Sequence, residues 1–294
     1  MRRITWIVLI LLSCTPQGSD VAIDIQGHRG ARGLAPENSL EAFLLAAKMG
    51  VTTLELDLVV SKDGQLVVSH EPYFSPDFCT DSLGNEIAQD SLINIYDLDY
   101  ADIVKFDCGS KINAKFPEQA KMRTSKPLLS DVLYHVEEYV LVNRAPVRYN
   151  IELKTKEATD GIFHPNPEAF SDLVYTVISD FNNSLWNKVN IQSFDFRTLQ
   201  YFHEKYPDVK LALLIENELS WQENIDSLGF SPDIYSCYFK FLDQQNVDEL
   251  QERGIEVIPW TVNEFSDLKH MLQLEVDGII TDYPDRALSL VSNE

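Results

Sequence analysis

The feature that most constrains the fold is a regular alternation of short β-rich runs with amphipathic segments, which starts near residue 22. Strand candidates such as "VTTLELDLVV" (51–60) and "VRYNIELK" (147–154) alternate with helix candidates such as "NSLEAFLLAAKMG" (38–50). This alternation predicts parallel strands joined by right-handed crossovers. Eight strands are counted when the two runs within residues 51–70 are treated as one barrel strand and an extension. The predicted fold is an α/β (β/α)8 TIM barrel, which typically takes about 250 residues. No GxGxxG follows the first strand to favour a doubly wound sheet.

Residues 71–126 interrupt the alternation. They carry Pro, Asn, Asp, Gly and scattered aromatic residues, with no long periodic segment. Because structureless stretches of more than about 15 residues are uncommon in compact domains, we predict an irregular insertion here. It follows the second barrel strand and is expected to stand over one end of the barrel.

The N-terminus is predicted to be a targeting segment. It reads "MRRITWIVLILLSC", a charged start followed by an apolar run too short for a membrane span, which needs about 20 residues. We predict a signal peptide over 1–13, a lipidated Cys14 and a tether over 14–22, because "LLSC" resembles the lipobox of bacterial lipoproteins. The barrel, 23–294, is then expected in the bacterial cell envelope, anchored to a membrane at the periplasm or cell surface. The alternative is an ordinary signal peptide with an incidental cysteine.

The net charge excludes some partners. The chain has 24 basic and 46 acidic residues, a formal charge of -22. Nucleic acid and anionic lipid surfaces both require a basic face, so neither is expected to be an electrostatic partner. An anionic substrate would need local positive charge from a few basic side chains or a cation.

The cysteines indicate no zinc site, because neither CxxC nor a Cys/His ligand spacing is present. Cys79 and Cys108 lie in one irregular stretch and could form a disulfide in an oxidising compartment. Cys237 is predicted to be a buried thiol.

Polar side chains collect at the carboxyl ends of the predicted strands, which meet at one mouth of a barrel where barrel enzymes carry their chemistry. His28 and Arg29 follow the first strand, and His70 ends the extension. Two pairs have i, i+2 spacing, which points both side chains to one face: Glu55 with Asp57, and Glu152 with Lys154. The other polar residues at strand ends are Gln192, Ser193, Trp260, Asn263, Thr281 and Asp282.

Three carboxylates in this mouth favour a metal site. A single acid in a barrel strand is often only a hydrogen-bonded interior residue, but Glu55, Asp57 and Glu152 would repel one another when buried. A divalent cation removes that repulsion, and all-oxygen ligation favours Ca²⁺ or Mg²⁺ over zinc.

The six histidines divide into two groups. His28 and His70 end strands beside the carboxylates and suggest one base and one acid. His164 could line a pocket, but a solvated loop position is expected for it. The others fall within predicted helices, as surface or packing residues: His135, His203 and His270.

The ordered motifs "GHRGARGLAPENSLEAF", "ELDLVVSKDGQLVVSHE", "IELK", "QSF", "PWTVN" and "DGIITDYP" cover nearly the whole chain after the N-terminal segment. Together they resemble the glycerophosphodiester phosphodiesterase family. The resemblance implies a TIM barrel that hydrolyses glycerophosphodiesters to an alcohol and sn-glycerol 3-phosphate with a divalent cation. One departure is His70-Glu71, where the family usually has aspartate after the histidine.

The resemblance also implies residue roles. His28 and His70 would be the catalytic acid/base pair, and Arg29 would hold the phosphate. Lys154 would add positive charge, and Trp260 is expected to contact the substrate. The implied metal ligands are Glu55, Asp57 and Glu152. Gly27 and Gly30, which flank the His-Arg pair, are expected to leave room for the backbone beside a phosphate.

Two alternatives remain at this stage. One is a lysophospholipase D-like or other phospholipid phosphodiesterase on the same barrel, which an apolar surface in 71–126 would favour. The other is a non-catalytic binding protein, which the loss of a histidine or a ligand would indicate; all five residues are present.

Overall fold

The computed structural model describes residues 23–292, so the signal peptide, Cys14 and the tether, predicted from residues 1–22, lie outside the described residues. Eight parallel strands form a barrel, and β3 pairs antiparallel with β2 as its extension. The strands are β1 Asp24–Gly27, β2 Thr53–Val60, β3 Leu66–Val68, β4 Arg148–Leu153, β5 Val189–Ser193, β6 Lys210–Ile215, β7 Ile234–Cys237, β8 Glu256–Val257 and β9 Gly278–Thr281. The predicted (β/α)8 fold is confirmed.

Barrel closure depends on the last two strands. The hydrogen-bonded order runs β8-β7-β6-β5-β4-β2-β1-β9. Backbone bonds from Asp277 N to Val257 O (3.0 Å), from Ile280 N to Pro259 O (3.0 Å) and from Val262 N to Ile280 O (2.9 Å) then join the two ends. The regular ladder of β8 is two residues long, shorter than the predicted strand over 255–263, although Ile258 N and Trp260 N still donate to Tyr235 O and Cys237 O at 3.1 and 3.0 Å.

Helices cover the outside of the barrel. They are α1 Leu40–Met49, α3 Leu129–Asn143, α4 Pro167–Asn182, α5 Phe196–Lys205, α6 Trp221–Leu228, α7 Gln244–Gln251, α8 Phe265–Gln273 and α9 Pro284–Val291, while α2 Tyr100–Ile103 is a single turn between β3 and α3. Helix α1 is capped at both ends: the Ser39 side chain accepts from Ala42 N at 3.1 Å, and Gly50 is left-handed at φ 93°. Among residues 23–292, no helix combines the length and the apolar character needed to cross a bilayer.

The segment 71–126 contains only one helical turn, α2, and one 3₁₀ turn, so it is irregular as expected. It has a small apolar core of its own that packs on Val59 and Val67. Phe74 and Phe106 stack there with ring centroids 3.8 Å apart. Cys79 and Cys108 form a disulfide beside them. Its main aromatic pair is therefore core rather than an exposed apolar surface.

Candidate active site

The three predicted metal ligands meet at the mouth of the barrel. Glu55 and Asp57 lie on β2, Glu152 lies on β4, and the parallel register places Asp57 directly opposite Glu152. One carboxylate oxygen from each residue lies within 4.8 Å of the other two. All three side chains are buried, with at most 6% exposed. Because β2 and β4 are neighbouring strands, the Glu55/Asp57 pair and the Glu152/Lys154 pair lie together in one cluster.

The surrounding groups leave part of this cluster unpaired. Asn38 Nδ2 donates to Asp57 Oδ2 at 2.8 Å, and Lys154 Nζ donates to Glu152 Oε1 at 2.7 Å. The other carboxylate oxygen of Asp57, Oδ1, is buried without a hydrogen bond, with Lys154 Nζ 3.7 Å away. An unpaired buried carboxylate oxygen is costly, and a positively charged ligand bound by the cluster would offset that cost.

The electrostatics agree with a cation site. Burial first, then the charges of Asp57 and Glu152, raise the pKa of Glu55 well above its usual value. Burial also raises the pKa of Glu152, with Asp57 acting in the same direction. Burial by itself would also raise the pKa of Asp57, but nearby positive charges hold that pKa well below its usual range. The two glutamates, rather than Asp57, therefore resist ionisation by themselves. The oxygen-only ligand set and the orphaned Asp57 oxygen fit a hard divalent cation.

His28 is held from behind by a buried carboxylate. Its Nδ1 lies 2.6 Å from Asp282 Oδ1, which leaves Nε2 directed toward the carboxylate cluster, 4.0 Å from Glu55 Oε2. Asp282 is fixed in turn by the Arg32 guanidinium, at 2.7 and 3.0 Å, and by Asn263 Nδ2 at 2.8 Å. Burial and the nearby Arg32 lower the pKa of His28 to about 4, although Asp282 acts in the opposite direction.

Asp282 itself stays ionised. Burial by itself would raise the pKa of Asp282, but the contacts with His28 and Arg32 outweigh burial and hold that pKa well below its usual range. A charged acceptor that cannot rotate keeps one tautomer of His28, with Nε2 free for the mouth.

His70 is also paired with a carboxylate through Nδ1, but its partner is more exposed to solvent than Asp282. Its Nδ1 lies 2.8 Å from Glu71 Oε1, and this hydrogen bond lowers the pKa of Glu71 to about 2. The longer Glu71 side chain, the departure noted in the sequence, therefore still reaches the imidazole. Behind it, the buried Lys126 donates to Ser69 Oγ at 2.7 Å, and Ser69 Oγ donates to the Glu71 carbonyl at 2.6 Å.

Arg29 lies between the two histidines. Its backbone N–H donates to Glu55 Oε2 at 2.8 Å, and its guanidinium Nη1 donates to Glu37 Oε1 at 2.7 Å. The guanidinium Nε is buried without a hydrogen-bond partner, 3.4 Å from Asp57 Oδ2. Arg29 also lines the cavity shared by His28 and His70 and brings a positive charge to it.

The structure corrects the reason for the two glycines beside His28. A Cβ on Gly27 would collide with the carbonyl oxygen of Gly30. Gly30 has φ 84°, and a Cβ there would lie 2.6 Å from the Ala42 carbonyl carbon. Both glycines are therefore required by the tight turn and by the close packing of α1, rather than by space for a phosphate.

Three cavities meet at His70. The innermost, of about 210 Å³, is lined among others by His28, Arg29, Glu152 and Trp260. Another, of about 430 Å³, lies between Arg29 and the insertion. The third, of about 730 Å³, extends away from Lys154 and is referred to below as the apolar groove; its apolar lining residues are Pro72, Tyr73, Phe163, Phe194 and Phe196.

The mouth therefore brings together all eight site residues predicted within the described chain, with Asp57 fully buried beneath the others. The solvated position expected for His164 is wrong: it is 2% exposed, its Nε2 accepts from Lys156 N at 3.0 Å, and it lines the apolar groove, as the alternative had it. His135, His203 and His270 lie on helices with exposed side chains, as expected, and Cys237 is the predicted buried thiol.

Some residues that hold the site were missed from the sequence. Asp282 and Gln192 were noted only as polar strand ends, although their position was the signal for a site role. Nothing in the spacing pointed to Arg32, which lies three residues after Arg29, or to Lys126, which ends the insertion. Their partners are set by tertiary contacts.

The sequence model of the glycerophosphoryl diester phosphodiesterase family matches residues 28–286, which spans every strand-end residue of the site. The chain belongs to this family. It is a phosphodiesterase that hydrolyses glycerophosphodiesters, and the family depends on a divalent metal.

Relatives within the phosphodiesterase family cover nearly the whole chain. A glycerophosphodiester phosphodiesterase of Bacillus altitudinis is 30% identical over 271 residues, 90% of this chain and 97% of that one. A human lysophospholipase D is 27% identical over 293 residues, 90% of this chain and 85% of that one.

Solved structures of family members share the barrel. A protein from Silicibacter pomeroyi DSS-3, solved as a candidate glycerophosphoryl diester phosphodiesterase, has a TM-score of 0.81 and 28% identity, with 92% and 93% of the two chains covered. An Oleispira antarctica phosphodiesterase, in complex with the product sn-glycerol-3-phosphate, has a TM-score of 0.72 and 23% identity, with 92% and 97% covered.

Proposed function

We propose that His28 and His70 carry out the acid/base chemistry of glycerophosphodiester hydrolysis, giving an alcohol and sn-glycerol 3-phosphate. The observation that carries this is the pairing of each imidazole with a carboxylate through Nδ1, at 2.6 Å for His28 and 2.8 Å for His70. Both residues line one cavity with the carboxylate cluster. One histidine removes a proton from the attacking hydroxyl, and the other donates a proton to the leaving alkoxide.

Glu55, Asp57 and Glu152 are proposed to hold one Ca²⁺ or Mg²⁺ ion, and Arg29, whose positive charge lines the same cavity, to bind the phosphate. When bound, the cation would supply positive charge that offsets charge on the phosphoryl oxygens. Lys154 donates to Glu152 and brings a positive charge to the wall of the apolar groove. Trp260 lines the cavity wall and limits the space available to the substrate.

The attacking hydroxyl is either the glycerol 2-hydroxyl or water. In the first route the new P–O bond forms within the substrate, the P–O bond to the alcohol breaks, and a cyclic phosphate results that water opens in a second step. In the second route water forms glycerol 3-phosphate directly. Rapid-quench product analysis separates the routes: a transient cyclic phosphate supports the first, and its absence at every time point supports the second.

The test of the function is a panel of glycerophosphodiesters assayed with a chelator and then with each cation restored. We expect turnover to disappear with the chelator and to return with Ca²⁺ or Mg²⁺. Turnover that survives complete chelation would contradict the cation site. A product other than sn-glycerol 3-phosphate would contradict the reaction.

The apolar groove favours a second candidate activity, on lysophospholipids. Its aromatic wall adjoins His70 and Glu152, so a substrate held at the phosphate could place an acyl chain there. Burying an acyl chain contributes about 0.8 kcal/mol per CH2. A related human protein is named lysophospholipase D, which agrees with this option.

The two activities are separated by the ratio of kcat/KM for lysophosphatidylcholine to that for glycerophosphocholine. Phe163→Ala should lower the ratio if an acyl chain occupies the groove. Phe241→Ala is the matched control, because Phe241 is 38% exposed and does not line the groove. An unchanged ratio in Phe163→Ala would show that no acyl chain occupies the groove and would leave glycerophosphodiesters as the substrates.

The envelope location is a separate proposal that depends on the sequence of residues 1–14 alone. A lipidated Cys14 would hold the barrel near membrane-derived substrates. Radiolabelled palmitate should enter the wild type and be lost in Cys14→Ser, with the variant released to the soluble fraction. Equal labelling of both proteins would contradict the anchor.

A further inference from the structure

The interior of the barrel beneath the carboxylate cluster contains four amide side chains. They are at most 7% exposed and lie on three of the strands: Gln26 on β1, Asn150 on β4, and Asn190 and Gln192 on β5. Buried polar groups need partners, and these four largely satisfy one another. Apolar side chains would fill the same space without the cost of an unpaired buried amide. The presence of four amides therefore needs a physical explanation.

The amides connect the two ends of the barrel. Gln26 Nε2 donates to Asp24 Oδ2 at 2.9 Å at the amino end of the strands. Asn150 Nδ2 donates to both Gln26 Oε1 (2.8 Å) and Gln192 Oε1 (3.0 Å). Gln192 Nε2 then donates to Oε1 of the metal-site residue Glu55 at 2.8 Å.

Asp24, at the amino end of this series of hydrogen bonds, determines which way each amide in the series is turned. Asp24 also receives the Thr53 hydroxyl at 2.7 Å and the Arg148 guanidinium at 3.0 Å, so it is an acceptor only. Gln26 must therefore direct its NH₂ group to Asp24 and its carbonyl to Asn150.

The same reasoning continues to the mouth. Asn150 must offer its NH₂ group to both glutamine carbonyls, and its own carbonyl accepts from Asn190 Nδ2 at 2.5 Å. Gln192 is left with its NH₂ group facing Glu55. A donor fixed at this position holds the Glu55 carboxylate from one side, while its other oxygen, Oε2, accepts from Arg29 N at 2.8 Å.

We propose that Asn150 is a positioning residue for the cation site: it orients Gln192 so that Gln192 Nε2 donates to Glu55 Oε1 and fixes the position of that carboxylate. This inference rests on the proposed cation-binding function of Glu55. If the amides only fill the barrel, replacing Asn150 would change the stability of the protein but not its affinity for the cation.

The test is Ca²⁺ binding to Asn150→Asp, measured by titration calorimetry. Aspartate has nearly the same shape but only accepts, so Gln192 would turn its NH₂ group toward residue 150 and its carbonyl toward Glu55. The added negative charge would strengthen Ca²⁺ binding through space, whereas the reversed amide would weaken it. We expect affinity to fall about 10- to 100-fold, as for the loss of groups that orient metal ligands.

Asn113→Asp is the matched control. Asn113 lines the cavity between Arg29 and the insertion, and its Oδ1 accepts from Lys115 N, a bond that aspartate keeps. This variant adds the same charge at the mouth with the amides intact, so its Ca²⁺ affinity should not fall. Equal or tighter binding by a folded Asn150→Asp would overturn the inference.

Gln192→Met covers the case in which Asn150→Asp does not fold cooperatively. Methionine removes the donor to Glu55 without adding charge, so we expect about tenfold weaker Ca²⁺ binding, with turnover restored at saturating Ca²⁺. Unchanged affinity in this variant would overturn the inference while leaving the proposed function intact. A wild type that binds neither Ca²⁺ nor Mg²⁺ would overturn both.

Discussion

The two sides of the barrel mouth use different kinds of carboxylate partner to orient their histidines. On the barrel side, His28 is paired with Asp282, which is 1% exposed and held by Arg32 and Asn263. On the insertion side, His70 is paired with its chain neighbour Glu71, whose side chain is 35% exposed. The first pair joins residues 254 positions apart and depends on barrel closure, while the second is local. We therefore expect the barrel side to be rigid and sensitive to substitution, and the insertion side to be more tolerant.

Removal of either imidazole should have the largest effect. We expect His28→Ala and His70→Ala each to lose about 10²–10⁴-fold in kcat, because each side loses its proton-transfer group. Initial-rate kinetics with glycerophosphocholine measure this, and circular dichroism checks the fold. Near-normal turnover by either variant would show that its role is misassigned.

The carboxylate partners should separate the two sides. A hydrogen bond to a charged group contributes about 1.5–3 kcal/mol, which is roughly 10- to 150-fold in rate. Asp282→Asn should lose activity near the upper end, because Arg32 and His28 both lose a charged acceptor. Glu71→Gln should lose about tenfold or less, because water can replace an exposed partner. A larger loss in Glu71→Gln than in Asp282→Asn would reverse the comparison.

The insertion should be destabilised locally by loss of its disulfide. A Cys79→Ala/Cys108→Ala variant should lose about 2–4 kcal/mol, the typical contribution of a crosslink. Because the crosslink lies within the small core on Val59 and Val67, the loss should appear as faster proteolysis within 71–126. Cleavage that starts equally in the barrel helices would show that the insertion has no separate stability.

The smallest expected effect is on the pH dependence of stability near His70. Burial lowers the pKa of Lys126 to about 8, although Glu37 and Glu71 act in the opposite direction, and an unfolded lysine titrates near about 10.4. Between these values the unfolded state binds more protons, so this residue makes stability rise with pH by up to about 1.4 kcal/mol per unit.

The control is Lys126→Met, in which that part of the rise should be absent. Urea unfolding of both proteins between pH 8 and pH 10 measures the difference. Parallel stability curves would contradict the lowered pKa of Lys126.

Much of the site was accessible from the sequence because the pattern of strands fixes where their ends lie. Glu55, Asp57 and Glu152 were assigned to one mouth from i, i+2 spacing and parallel order, and the structure places them within 4.8 Å. His164 was misjudged because nothing in "GIFHPNPE" shows that the loop folds back on Lys156 and buries its imidazole. The apolar groove was sought in 71–126, but its three phenylalanines come from the chain after β4 and β5.

The sequence by itself determined the barrel, the irregular insertion and the set of side chains at the mouth, since these follow from local periodicity and strand order. Only the tertiary structure decided that Asp282 supports His28, that Glu71 still reaches His70, and that Asn150 orients Gln192 toward Glu55. The physical reason is that a buried polar atom takes whichever partner barrel closure brings within about 3 Å, and that choice leaves no mark on the spacing of residues along the chain.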